Sequence, residues 1–337
     1  MAPRSRKVPA PKVVAPAQKR GRPAPRYRRP PAPKPRYRIT NWREYNDALV
    51  RRGSITLWID EAMVAGWRAS GGRGWRYSDQ AIVCALSLRA VFGLTLRQTQ
   101  GFLHDLTRLL GLAVEVPHYS TFSRRAATLA VPKPARPVDG PLHLAVDATG
   151  LKVHGEGEWK VRVHGAGKRR VWRKLHLAVD TRTGMLHAHA LTASEASDGG
   201  RLEDLLAAVG APIEAVCADK AYDSFDCHDV IRAHGARPVI PPRKGAAIRP
   251  PQNRPDAPPT RREAVARMAE IGRKAWKIET GYHRRSLAET AMLRYKVLIG
   301  PSLRSRSFDR QKVEAAVAVR CINRFTELGM PHSVPIT

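Results

Sequence analysis

Tyr282, Arg285, Glu289 and Lys296 stand at offsets 0, 3, 7 and 14 in the run Tyr-His-Arg-Arg-Ser-Leu-Ala-Glu-Thr-Ala-Met-Leu-Arg-Tyr-Lys. At about 100° per residue they fall within roughly 60° of one another on one helix face. The adjacent face carries Ala288, Met292, Tyr295 and Ile299, an apolar stripe suited to a core. A carboxylate set among a phenol, a guanidinium and an ammonium suits a metal-binding acid flanked by phosphate contacts. The pattern also suits an exposed amphipathic helix with an Arg285–Glu289 ion pair, although Arg four residues before Glu is the weaker order for such a pair.

Two further acids share one kind of setting. Leu142-His-Leu-Ala-Val-Asp147 and Pro212-Ile-Glu-Ala-Val-Cys-Ala-Asp219 are short apolar runs, each ending on an aspartate. Both read as buried strands that deliver a carboxylate at the C-terminal end, where ligands of open α/β sheets bind. Each acid alone serves equally well as a turn residue or helix N-cap. Asp180 ends a similar run but enters Thr-Arg-Thr-Gly184, a hairpin turn, and is read as turn chemistry. Asp223 falls beyond the strand end, in a loop.

These residues carry a resemblance. The spacing Y-x2-R-x3-E-x6-K, preceded by strand-end Asp147 and Asp219, resembles the DDE transposases of bacterial insertion sequences, in particular insertion-sequence family five. Matching segments include Ile39–Asn46, Arg76-Tyr-Ser-Asp79, Leu94-Thr-Leu-Arg97, Thr149–Val153, Trp172–Asp180, Asp219-Lys-Ala-Tyr-Asp223, Ile240-Pro-Pro-Arg-Lys-Gly245 and Ser286–Met292. The resemblance runs from about residue 37 to 337. Ala148 departs from it, since Ser is expected after the first aspartate, and residues 1–36 have no counterpart.

The resemblance implies a ribonuclease H-like (retroviral-integrase-like) α/β catalytic domain. Its acids Asp147, Asp219 and Glu289 would hold two Mg²⁺ ions about 3.5–4 Å apart, with Mn²⁺ as a substitute. Such an enzyme binds the terminal inverted repeats of its element, hydrolyses a strand at the ends and joins the 3′-OH to target DNA. Tyr282, Arg285 and Lys296 would grip phosphates near the scissile bond, Arg bidentately and Lys as a point charge. The expected partners are double-stranded DNA and further copies of the chain, as a homodimer or higher oligomer. Two other readings stay open: a DNA-binding regulator derived from a transposase, and a nuclease or resolvase that cuts without strand transfer.

Composition points the same way. The net charge of +30 implies a polyanionic partner or an extensive solvated surface. Aromatic residues make up only 6 %, which disfavours a stacking platform for single strands. No segment approaches the ~18 apolar residues of a membrane span, and no apolar stretch follows the basic N-terminus. A cytoplasmic, nucleoid-associated protein is expected. Cys84, Cys217, Cys227 and Cys321 are widely spaced and lack a CxxC pair, so they read as reduced thiols and not as a zinc site.

The organisation that must position these residues has four parts. Residues 1–38 hold 13 Lys/Arg, ten Pro and no acid, a disordered basic arm. Within it Arg20 and Arg22 flank Gly21 as in an AT-hook, though a purely electrostatic tail fits as well. Residues 39–130 read as an α-helical DNA-binding region. One helix runs from Asn41 to Arg52 and a second from Ser54 to Trp67. A third is capped by Ser78, a fourth spans Arg97 to Leu110, and a fifth starts at Ser120. The last two resemble a helix-turn-helix with Ser120, Thr121, Arg124 and Arg125 on the recognition face; an ordinary helical subdomain is the rival reading. A Pro-rich linker, 131–139, leads to the catalytic part, 140–330. There strands are expected at 142–148, 171–180, 185–192, 213–219 and 236–240, with a basic loop or strand at 157–170 and helices near 198–209 and 223–234. A basic, Pro-rich insertion at 241–275 precedes the Glu289 helix.

Overall fold

The computed structural model describes residues 36–69, 76–132, 140–153, 171–246, 252, 255 and 259–336. The arm with Arg20 and Arg22, most of the linker, and the stretch 157–170 lie outside the described residues. The chain divides into two units. In the smaller, strands β1 (Arg36–Ile39) and β8 (Ser333–Ile336) pair antiparallel. The larger spans Asn41–His332.

The larger unit begins with helices. α1 covers Trp42–Arg51, and the Asn41 side chain before it serves residues distant in sequence, donating to the Met330 carbonyl and accepting from His332 N. The second helix expected over 54–67 is instead broken into a 3-10 turn, Ile55–Leu57, and a short α2, Glu61–Ala65. Asp60 causes the restart, since its carboxylate caps Met63 N at 2.7 Å. Ser78 caps α3 (Asp79–Val91), and a Thr95/Gln98 capping box opens α4 (Leu96–Leu109). α5 spans Tyr119–Arg125.

The sheet follows. β2 (Leu142–Val153), β3 (Trp172–Asp180) and β4 (Leu186–Ala193) form an antiparallel meander. After the short helix α6 (Leu202–Ala207), β5 (Ile213–Cys217) pairs parallel to β2. After α7 (Phe225–Ala233), β6 (Arg237–Val239) pairs parallel to β5. The strand order is β4-β3-β2-β5-β6, a mixed sheet with β2 at its centre. Alternation along β2 sends Leu142, Leu144 and Val146 to a core shared with α6 and α7, and Ala145 and Leu151 to a core on the opposite face. Burial on both faces is why the run reads as continuously apolar.

Part of the expected basic insertion is helical. α8 (Thr260–Glu279) turns at Gly272, φ 79°, and Arg267 on its first arm reaches back to Glu279 on its second. Trp276 on the second arm is buried with Ala215, Cys217 and Val239, so this segment packs on the β5–β6 side of the sheet. α9 (Ser286–Leu298) buries Ala288, Met292 and Tyr295 of the expected stripe, and Ala291 beside them, against the sheet, while Ile299 follows the helix and is half-buried. After the two-residue β7 (Ser302–Leu303), α10 (Phe308–Leu328) serves two cores at once. Val313, Val317, Cys321 and Phe325 enter the helical core, while Ala315, Ala318, Val319 and Ile322 face the sheet. Its Asn323 bonds both N–H and C=O of Leu186 at 2.8 Å, fastening the helix to the start of β4.

All four cysteines are free and buried. Burial pushes the Cys84 and Cys321 thiols up to about 12, which suits inert core side chains. Among the described residues no single helix is long and apolar enough to cross a membrane.

Candidate active site

Asp147 lies on β2, on the face that α9 covers, since its neighbours at alternate positions, Ala145 and Leu151, face that core. One carboxylate oxygen accepts from Ala148 N at 2.8 Å and the other from Arg285 Nη1 at 2.9 Å. The other amino group of the same guanidinium, Nη2, donates to Glu289 in the first turn of α9. Asp219 follows the end of β5 and caps the 3-10 turn Lys220–Tyr222, accepting from Ala221 N at 2.7 Å. It thus makes the turn-capping bond that either strand-end acid can make, and its charge acts on Asp147 as well. Burial pushes the Asp147 carboxyl above its ordinary range; the Ala148 N–H and Arg285 oppose this, and the charges of Asp219 and Glu289 add to it.

Tyr282 and Arg285 are not on the α-helix. Gly281, in the left-handed region at φ 68°, ends α8, and Tyr282–Arg285 form a 3-10 turn before α9 begins at Ser286. Regular α-helical spacing therefore holds only from Ser286 onward. It keeps Glu289 and Lys296 on one face, while Arg285 joins them through the length of its side chain. Lys296 Nζ donates to Thr149 Oγ1 at 2.7 Å, two residues along β2 from Asp147. Tyr282 is half-buried against Trp276, ring centroids 5.9 Å apart, with Lys277 over its ring. Burial raises its phenol above the ordinary value, and the nearby Asp219 charge adds to this.

The two rival acids do other work. Asp180 is buried and accepts from Arg182 N, Thr183 N and Thr183 Oγ1, the chemistry of its turn. Asp223 is buried in a bidentate pair with Arg261, at 2.7 and 3.2 Å, and accepts from Arg243 N. Arg243 also donates from Nε to the Lys220 carbonyl and from Nη2 to the Ala221 carbonyl, both at 2.9 Å. Arg243 and Arg261 therefore fix the turn that Asp219 opens. Sequence reasoning missed both, because each sits in a stretch rich in Arg and Pro where neither stands out. The run Ile240-Pro-Pro-Arg-Lys-Gly245 was the signal that could have marked Arg243.

Of the expected recognition residues, Ser120 and Arg124 are exposed and Thr121 half-buried on α5, but Arg125 is not available to DNA. It is buried, donating to the Tyr77 carbonyl at 2.8 Å and pairing with Asp79. The expectation put it on the same face as Arg124, but adjacent residues lie about 100° apart on a helix, so Arg124 faces solvent while Arg125 turns inward.

Carboxylates are hard oxygen donors of the type that holds Mg²⁺ or Mn²⁺. Among the described residues, however, no three His, Cys, Asp or Glu side chains are arranged to hold a metal ion. The Arg285 guanidinium lies between Asp147 and Glu289, and puts positive charge where a cation would otherwise balance them.

Fold and site together define an α/β protein whose central mixed sheet carries acids on its middle strand, beyond the neighbouring strand, and on a helix packed across them. Family models described as "Transposase DDE domain" match residues 139–324 and, separately, residues 50–156. The first match spans more than half of the chain and takes in Asp147, Asp219 and Glu289. The chain belongs to the DDE transposase family.

Proposed function

We propose that this chain is the transposase of an insertion sequence of family five with the Y-R-E-K signature, and that Asp147, Asp219 and Glu289 are its catalytic acids. The bridging of Asp147 and Glu289 by Arg285, with the charge of Asp219 acting on Asp147, carries the reading. The strand order β4-β3-β2-β5-β6, three antiparallel strands followed by two parallel ones, supports assigning the sheet to the ribonuclease H-like class. The division into a helical DNA-binding region, a linker and a catalytic domain belongs to the same proposal.

The three acids would hold Mg²⁺, or Mn²⁺ in its place, which would lower the pKa of a water or of the DNA 3′-hydroxyl and offset charge on the leaving oxygen. The chain's own residues do the rest. Arg285 and Lys296 present donors beside the acids, where a scissile phosphate must lie, and Arg285 exchanges its carboxylate partners for phosphate oxygens. Tyr282 packs at the same edge and keeps its proton, offering a neutral donor. Arg243 and Arg261 hold the Asp219 turn rigid, which keeps its carboxylate aligned through both strand cleavage and joining.

Incubating the full chain with duplexes that carry the flanks of its own gene, with and without Mg²⁺, tests this. Metal-dependent strand cleavage at the element ends, lost in Asp147→Asn, is expected. Sequence-specific binding with no cleavage under any divalent ion would replace the enzyme with a DNA-binding regulator derived from one.

A further inference from the structure

We propose that the cleft between the start of α4, α5 and the start of α10 is a docking site for the DNA backbone, separate from the acid cluster, with Arg97, Arg124 and Arg310 as its phosphate contacts. The proposal rests on the reading of the chain as a DNA-processing enzyme with a helical DNA-binding region, and adds to Ser120 and Arg124, already expected on its recognition face, backbone contacts from Arg97 and Arg310.

The cleft holds about 500 Å³, is open to solvent, and no carboxylate lines it. Three guanidinium groups from three helices converge on it, joined by the hydroxyls of Tyr119, Ser120 and Ser123. Such a lining has donors and positive charge but no fixed anion, so its complement is an anion. An open concavity spanned by three helices suits an extended polyanion better than a single small ion.

The guanidinium groups are also held in place. Arg97 lies over the Tyr119 ring, 4.5 Å from its centroid, and donates to the phenol oxygen at 3.4 Å. Tyr119 N in turn donates to Gln100 Oε1 at 2.9 Å, tying the start of α5 to α4. Arg310 donates from Nε to the Ser123 carbonyl at 2.7 Å and from Nη1 to Ser307 Oγ at 3.0 Å, leaving Nη2 for a ligand. Side chains already fixed lose less conformational freedom on binding. Arg124 is exposed at the rim, within 3.5 Å of Thr121 Oγ1. Arg310 comes from the last helix, so the C-terminal part of the chain completes a site otherwise built by the helical region.

The test is anisotropy of a fluorescein-labelled 30-bp duplex, titrated with the full chain from 50 to 200 mM chloride. Arg97→Ala and Arg310→Ala should each lower affinity several-fold and reduce the log–log salt slope by about 0.9 for each phosphate no longer neutralised. Arg108→Ala, exposed on α4 and paired with Asp105 outside the cleft, should change neither. Arg310 is half-buried and its removal can disturb packing, so Ser120→Asp is added. Ser120 is exposed, and a carboxylate there should weaken binding at least as much as Arg97→Ala. Unchanged affinity and slope in Arg97→Ala and Ser120→Asp would overturn the proposal. So would displacement of the duplex by inorganic phosphate beyond that by chloride at equal ionic strength, which would mark a small-anion site. Strand cleavage by the wild-type chain is read in parallel. Weakened binding in the variants without any wild-type cleavage removes the catalytic reading alone, and cleavage with unaltered variants removes the cleft alone.

Discussion

A single guanidinium, that of Arg285, spans the two acids Asp147 on the sheet and Glu289 on the helix, 2.9 Å from the former. Two carboxylates drawn together by the fold repel each other, and the bridging charge offsets this. A divalent cation and Arg285 then compete for the same oxygens. Arg285→Ala should lower stability by about 1–3 kcal/mol, between the values for surface and buried pairs. The variant should also regain more melting temperature on addition of Mg²⁺ than the wild type does. Equal Mg²⁺-dependent shifts in the two proteins would show that the guanidinium and the metal do not share the acids.

Asp147→Asn, Asp219→Asn and Glu289→Gln should each reduce cleavage and joining at element ends by at least a hundredfold, with duplex binding kept or tightened as negative charge leaves the site. Near-normal cleavage in any one variant would remove that residue from the catalytic set. Asp180→Asn is the matched control, because its carboxylate makes the bonds of the turn it enters, to Thr183 N and Oγ1. Asp223 is no such control. Asp223→Ala removes the buried carboxylate that makes the bidentate pair with Arg261, a loss on the order of 3 kcal/mol. Its signature is a fall in melting temperature before any question of catalysis arises.

The acids were legible in sequence because each ends or interrupts an apolar run, and an acid at that place needs a reason. Ala288, Met292 and Tyr295 were legible as a buried stripe because a helix packed on a sheet must be apolar at that period. What escaped was anything decided by contact across long sequence separations. The pairing of Arg261 with Asp223 spans 38 residues, and that of Arg285 with Asp147 spans 138. The 3-10 turn at Tyr282–Arg285 escaped for a local reason: Gly281 marks the break, but a glycine one residue before a helical pattern also serves as an ordinary N-terminal residue. The restart at Asp60 was hidden in the same way, because Ile55–Ala65 remains periodic through the break.

His228 gives the fold an acid-sensitive limb. It is buried, neither ring nitrogen has a hydrogen-bond partner among the described residues, and burial lowers its pKa to about 4, with Asp223 and Asp229 opposing this and Arg261 adding to it. The folded state therefore holds the neutral ring, while the unfolded chain takes up a proton near the ordinary value of 6.5. Its contribution to stability is present above pH 6.5 and is lost as pH falls toward about 4. Urea denaturation at pH 7 and pH 5 should show a smaller loss of stability in His228→Leu than in the wild type. Equal losses would mean that the ring does not gain a proton on unfolding.

Arg124 and Arg125 are neighbours in sequence and should behave as opposites. Arg125 is almost fully buried and holds the Tyr77 carbonyl, just ahead of α3, with one amino group, while the other pairs with Asp79 in the first turn of that helix. The Asp79 end is nearly half exposed, so the ion pair itself adds little. The loss in Arg125→Ala comes from an unmade charge-assisted bond to a backbone carbonyl and from the packing of the side-chain stem, about 2 kcal/mol together. Thermal melts should show it at any salt concentration. Arg124→Ala should leave the melt unchanged and weaken duplex binding most at low salt, where phosphate contacts count most. A melt of Arg125→Ala that matches the wild type, with DNA affinity reduced, would return Arg125 to the recognition face.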